Sequence, residues 1–233
     1  MWNRTRRPRQ PGFTLLELLV ALSLLSLIVT LLYSGFAQVS GNAGRVTKEL
    51  EARQELRVLL KLVADDLQAA QYLREWVQRK HPSGLIATRR FEEAKPFTWI
   101  RMHVGSTAKF YRNVAPGADP GLHEVSYRVE RDLERDMLVL RRREDFYLDN
   151  DMEEGGITVD LADGIETFTV EFLVPRTAGT VDERWEEEWD SNEQTEGPRL
   201  PPAMRVFISR MATDGSVYAE QMEFNLLQSR MDQ

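Results

Sequence analysis

Between positions 18 and 36 the chain carries no charged residue, and Leu, Ile, Val and small side chains fill most of that stretch. At about 1.5 Å per residue, a helix of this length covers roughly 28 Å, close to the hydrocarbon thickness of a bilayer. The run therefore predicts a membrane-spanning helix, with bounds 13–37. One carboxylate breaks the pattern, Glu17, set at the edge of the apolar run. An acidic side chain in lipid costs a few kcal/mol, so Glu17 is expected to pair with something and to mark a function.

Beyond the span the pattern changes period. Ser40-Gly41-Asn42-Ala43-Gly44 places two glycines within four residues, each worth about 1 kcal/mol against a helix, which predicts a bend or a melted turn. Leu56, Leu60, Val63, Leu67 and Ala70 then recur at spacings of three and four, with Arg53, Lys61, Asp65, Asp66 and Gln68 off the stripe. That is an amphipathic helix, expected to run to about Val77 and to end before Pro82-Ser83-Gly84. Its apolar stripe needs a sheet to cover it. Alternation supplies one: strands are predicted over 97–104, 125–129, 137–140, 157–161, 168–174, 204–211 and 217–224. A charged turn over 132–136 makes a hairpin, and Asp163-Gly164 and Asp214-Gly215 are turn signals. One long helix followed by many strands reads as α+β, the helix lying on antiparallel sheet. The expected organisation is a leader over 1–12, the span over 13–37, an amphipathic continuation over 38–80 and a β-rich domain over 81–233.

Four arginines, Arg4, Arg6, Arg7 and Arg9, precede Gly12. By the positive-inside bias they hold the N-terminus in the cytoplasm and send the rest across. Gly12-Phe13-Thr14-Leu15-Leu16-Glu17 after this leader resembles the class III leader of type IV pilins and type II secretion pseudopilins. The resemblance implies cleavage between Gly12 and Phe13 by a prepilin peptidase, which also N-methylates Phe13. It also suggests a partner for Glu17: in an array of such subunits, the new ammonium of one chain neutralises Glu17 of the next. Competing readings are an uncleaved signal anchor, a signal peptide cut after Ala37, and a twin-arginine signal at Arg6-Arg7. The first leaves Glu17 unexplained, the second has too long an apolar run, and the third lacks an apolar continuation after the arginine pair.

Further along, Leu161-Ala162-Asp163-Gly164-Ile165-Glu166-Thr167-Phe168, then Trp185, Trp189, Leu200-Pro201-Pro202-Ala203-Met204-Arg205-Val206 and a Gly215 turn, resemble the J-type minor pseudopilin of type II secretion. That family implies a pilin-like fold with two facing sheets beside a spine helix. It also implies a tip complex with the I and K minor pseudopilins on a pseudopilus of major pseudopilin, exporting folded proteins across the outer membrane. The expected location is the inner membrane, single-pass, with a periplasmic C-terminal domain. Partner contacts are expected through Leu56, Leu60, Val63 and Leu67. A minor pilin of a type IV pilus and a membrane-anchored periplasmic hydrolase stand as alternatives.

Charge and chemistry narrow the picture. Removing the four leader arginines from the net −7 leaves about −11, with no basic face for nucleic acid. There is no cysteine, hence no disulfide framework or thiolate chemistry. Asp149, Asp151 and Glu153, with Asp145 nearby, have the alternation of a calcium loop, but Glu154 stands where the turn needs glycine. The acidic stretch 182–196 reads as a mobile solvated loop. His81, His103 and His123 lack ligand spacing and read as surface or strand residues, so no metal or cofactor is expected. Trp185 and Trp189 read either as one helical turn offering an aromatic anchor or as a lid over the core. No phosphate loop, nucleophile elbow or acid-paired histidine is present, so no enzyme is expected.

Overall fold

The computed structural model describes residues 14–78, 81–106, 121–149, 151–175, 183–194, 199–212 and 214–226, with side chains at all of these except 38–45. Contacts divide the chain into two units, 1–50 and 51–233, and helix α1 (Leu15–Gln68) contributes to both. In the first unit, Leu15–Ala37 has a mean hydropathy of 2.6, is 0% buried, and is long and apolar enough to cross a membrane. The backbone remains helical through 40–44, so the chain has no melted turn there. Two glycines impose a local penalty of about 1 kcal/mol each, and helix-forming residues on both sides carry the hydrogen-bond ladder across.

The second unit is a sheet with the end of α1 buried against it. Helix α1 stops at Gln68, well before Val77. The chain finds sheet partners there: Ala70 bridges to Val104, the Gln71 N–H donates to His103 O at 2.8 Å, and the Gly105 N–H donates to Ala69 O at 2.8 Å. A short helix, α2 (Arg74–Gln78), follows and holds Val77. Ten strands come next among the described residues: β1 (Leu85–Glu92), β2 (Lys95–Val104), β3 (His123–Asp132), β4 (Met137–Asp145), β5 (Ile157–Asp163), β6 (Ile165–Val174), β7 (Arg184–Glu186), β8 (Trp189–Asp190), β9 (Ala203–Met211) and β10 (Val217–Asn225).

Seven of the strands run in the order β10-β9-β6-β2-β3-β4-β5, with β1 on β2, β8 on β1 and β7 on β6. Among the described residues every pairing is antiparallel except β2 with β6, which meet in parallel at Phe97↔Phe168. The two facing sheets that the resemblance implied are thus one sheet among the described residues, two antiparallel blocks joined at that contact. Gly164 (φ 67°) turns the chain from β5 into β6, where an added Cβ would meet Met211 O at 2.8 Å. The stretch 182–196 is corrected as well, since β7 and β8 within it pair with β6 and β1.

Leu56, Leu60, Val63 and Leu67 are between 0 and 1% exposed and share one core with Ile100, Met102, Val125, Phe168 and Val170. Burying each such side chain is worth about 1.5–3 kcal/mol relative to exposure. This corrects the partner-contact expectation. These four side chains are covered by the chain's own sheet and present no surface to another protein.

Candidate processing and assembly site

Gly12 and Phe13 lie outside the described residues. Immediately after them, Thr14 caps α1: its Oγ1 accepts the Glu17 N–H at 3.3 Å and its carbonyl accepts the Leu18 N–H at 3.2 Å. Thr14 and Glu17 have the spacing of a capping box, in which an acid in the first turn also favours the positive end of the helix dipole. Glu17 is exposed on an otherwise apolar surface, and among the described residues no cation pairs with its carboxylate. Further along the span, Ser23 donates to Leu19 O and Thr30 to Ser26 O, both at 2.8 Å. Those hydroxyls are satisfied within their own helix.

In the second unit the end of α1 is fastened by charge as well as by apolar packing. Asp66, fully buried, accepts the Tyr127 hydroxyl at 2.6 Å and Arg142 Nε at 2.8 Å. Arg142 Nη2 reaches Glu144 Oε1 at 3.2 Å, and His123 Nε2 lies 3.2 Å from the same oxygen. Burial, then the Asp66 charge, push the Tyr127 hydroxyl well above the ordinary tyrosine value of 10.0. Burial opposes the charged form of Arg142, but the Tyr127 oxygen, Asp66 and Glu144 outweigh it and hold its pKa above the usual arginine value. On the opposite face of β3 and β4, Arg143 joins Glu124 at 3.3 Å and Asp145 at 3.1 Å, and His103 lies 3.8 Å from Glu124. Both sets are enclosed, so they hold the structure rather than meet a substrate.

The sequence pattern put Asp66 off the apolar stripe. Its spacing of three from Val63 and four from Ala70 puts it on that stripe, and a carboxylate there signals a buried ion pair. Exposed pairs add to the frame. Arg53 and Arg57 each reach Glu220 at 3.3 Å, and Arg210 reaches Glu55 at 2.8 Å and Asp163 at 2.5 Å. Burial would raise the Glu220 pKa, but hydrogen bonds from Arg57 and Arg53 bring it below the ordinary 4.5. Beside these pairs, Val58 is 63% exposed in a groove of about 460 Å³ that Glu51, Gln54, Leu59, Leu161 and Ala162 also line.

The remaining candidates resolve as structure. Asp149 Oδ1 accepts the Asp151 N–H at 2.7 Å, Asp151 Oδ1 accepts the Glu153 N–H at 2.9 Å, Glu153 pairs with Arg101, and Asp145 pairs with Arg143. Among the described residues no cluster of three or more His, Asp or Glu side chains is arranged to hold a metal ion. His103 and His123 are strand residues and fully buried, whereas His81 lies against Trp76 with ring centroids 5.1 Å apart. Trp185 and Trp189 sit on separate short strands rather than one helical turn. Trp189 is buried 6.2 Å from Phe172 and donates to Arg199 O at 3.0 Å, which makes it the lid; the Trp185 ring lies 4.3 Å from the Arg205 guanidinium.

Two family models match. Residues 7–33 match the prokaryotic N-terminal methylation motif, which contains Gly12, Phe13 and Glu17. Residues 34–213 match type II secretion system protein J, more than three quarters of the chain. No curated protein sequence matches it significantly. The motif and the exposed apolar helix fit a single-pass inner-membrane protein that meets a prepilin peptidase and other pseudopilins. With a methylation-motif helix leading into an α+β domain that the protein J model covers, this chain belongs to the type II secretion protein J family and is a minor pseudopilin.

Proposed function

We propose that this pseudopilin is a tip subunit of the pseudopilus, cleaved between Gly12 and Phe13, methylated on Phe13 and held in register by Glu17. The carrying observation is the contrast along α1: Leu15–Ala37 is 0% buried, while beyond residue 55 one stripe of the same helix, Leu56, Leu60, Val63 and Leu67, is buried in the domain's own core. An apolar surface this long, 0% buried among the described residues, is suited to lipid first and to neighbouring spine helices after extraction. The leader arginines place the N-terminus in the cytoplasm and the sheet domain in the periplasm. The partners are the I and K minor pseudopilins and the major pseudopilin. The role is structural, since the buried ionisable groups have no access to a substrate. The groove at Val58 and Leu59, with Glu51 at its rim, is suited to an apolar helix ridge of the I-type partner.

Co-expression with a prepilin peptidase tests the reading directly. Mass spectrometry should find the chain shortened by the 12-residue leader and methylated at Phe13. A mature terminus at Gln38 would return the chain to secretory signal peptides, and an intact Met1 would return it to plain anchors. Glu17→Leu should be processed and inserted yet fail to enter the pseudopilus; normal secretion by that variant would remove the Glu17 pair from the mechanism. Overexpression of the chain alone should give no long filaments by electron microscopy, because the groove takes a partner rather than a copy.

A further inference from the structure

The sheet is split in one place. Strands β2 and β3 pair from Ile100↔Tyr127 to Val104↔His123, and no pairing continues to Trp99 and Arg128. There β2 leaves β3 and meets β6 at Phe97↔Phe168 instead, with the Val170 N–H donating to Thr98 Oγ1 at 2.9 Å. Strand β3 stays paired with β4 as far as Asp132↔Met137. Over 128–132 its other edge is therefore open among the described residues, a stretch of about 16 Å at roughly 3.3 Å per residue. Alternate backbone N–H and C=O groups face such a gap without a strand partner.

A cleft of about 300 Å³ lies at this split, lined by Arg90, Phe91, Phe97, Trp99, Arg128 and Val129, with Glu92 and Glu130 at its sides. Its charges are not equivalent. Glu130 already pairs with Arg128 and with Arg141, each at 3.0 Å. Arg90 is exposed, its guanidinium 5.4 Å from the Trp99 ring centroid, and among the described residues it has no anionic partner. Trp99 is flanked on its other side by Arg101 at 5.6 Å. Phe91, 64% exposed at the end of the same hairpin, projects from the other strand face, where the Arg89 guanidinium lies 5.2 Å from its ring centroid. An arginine stacked on an aromatic ring keeps its in-plane donors available for a carboxylate. Glu92 lies on the same strand face as Arg90, next to the Glu93–Ala94 turn, and repels an acid from that end. A bound carboxylate is thus directed to Arg90.

The geometry points to a peptide-binding cleft: an extended segment of another protein adds as a strand along the free edge of β3 at 128–132 and places an acidic side chain on Arg90. Its main chain takes the open hydrogen-bonding groups, and an apolar side chain lies on Trp99. The Arg131–Glu93 ion pair spans the cleft from β3 to the β1–β2 turn and sets one limit to the segment's length. This site is separate from the groove at Val58 and does not depend on where the subunit stands in a filament.

Hydrogen exchange on the full chain in detergent micelles tests it, with acetyl-Thr-Val-Glu-Val-Thr-amide at millimolar concentration as the probe. Amides over 128–132 should slow several-fold. Replacing the probe's Glu by Gln or Lys, or Arg90→Ala in the protein, should each weaken binding by about tenfold or more. Arg90 is exposed, so the variant keeps the fold, and unchanged exchange in β9 and β10 confirms that. No slowing over 128–132 would overturn the proposal. Slowing that survives Arg90→Ala or the Lys probe would overturn the carboxylate assignment. Slowing that rises with protein concentration and needs no probe would make a second copy of this chain the occupant, and would equally overturn it.

Discussion

Two stretches of one helix meet opposite fates. Leu15–Ala37, Glu17 apart, is free of charge around its circumference and exposed throughout, whereas the stretch from Leu56 to Leu67 gathers most of its apolar side chains on one stripe and buries them, leaving Val58 outside. A stripe can be satisfied by one sheet of the same chain; an apolar cylinder needs a surrounding solvent of its own kind. The chain thus carries a folded domain that is internally complete and an anchor that is not. The carboxylates divide in the same way. Asp66 has its cation in the same chain, and Glu17 has none among the described residues.

The largest expected effect comes from breaking the internal half of this comparison. Asp66→Ala leaves Arg142 and Tyr127 without their shared acceptor in the core, and losing one partner of a buried pair costs about 3–5 kcal/mol. Chemical denaturation of the full chain in detergent should show that loss; a change within experimental error would mean the cluster is open to water. Next comes a matched pair of truncations. Leu60→Ala should cost about 2–5 kcal/mol in the same assay, while Leu24→Ala, on the exposed face of the span, should stay within about 0.5 kcal/mol. Equal losses at the two sites would erase the distinction.

The smallest effect is a pH dependence at the helix–sheet clasp. Because Arg57 and Arg53 hold the Glu220 pKa below 4.5, the stabilisation is present above that value and fades as pH falls through the depressed folded-state pKa. Exposure limits it to a fraction of about 1 kcal/mol. The thermal midpoint of the wild-type domain should therefore drop slightly more than that of Glu220→Gln between pH 5 and about pH 3. Parallel curves would assign Glu220 no part in the clasp.

Much of this division is legible in the sequence. The span follows from uninterrupted apolarity. Strands β2, β3, β6, β9 and β10 follow from alternation, because one face of each meets the core and the other meets water or paired charge. Strand β1 was missed because Arg89, Arg90 and Phe91 reach solvent and end the alternation after Ala87. Strands β7 and β8 are too short to carry a period at all, and the ion pairs from Glu187 to Arg89 and from Arg184 to Glu186 sit in what reads as a solvated acidic run. Asp66 was misplaced because a carboxylate on an apolar stripe looks like a register error until its arginine, far away in sequence, is brought beside it. The methylation-site residues Gly12 and Phe13 were legible only as a motif.

The parallel contact at Phe97↔Phe168 has a kinetic consequence. Strands β1 with β2, β3 with β4, β4 with β5, and β9 with β10 are hairpin neighbours in sequence, and such pairs close within microseconds. Joining the two blocks instead requires β2 to find β6 with β3, β4 and β5 between them in sequence, the kind of distant pairing that slows folding. Until it forms, Phe168, Val170 and Phe172 have only half their cover, and α1 lacks part of the floor on which Leu60 and Leu67 rest. Contact order thus sets the β2–β6 seam, with the likewise non-local β6–β9 pairing, apart from the local hairpins as the slower contacts to form.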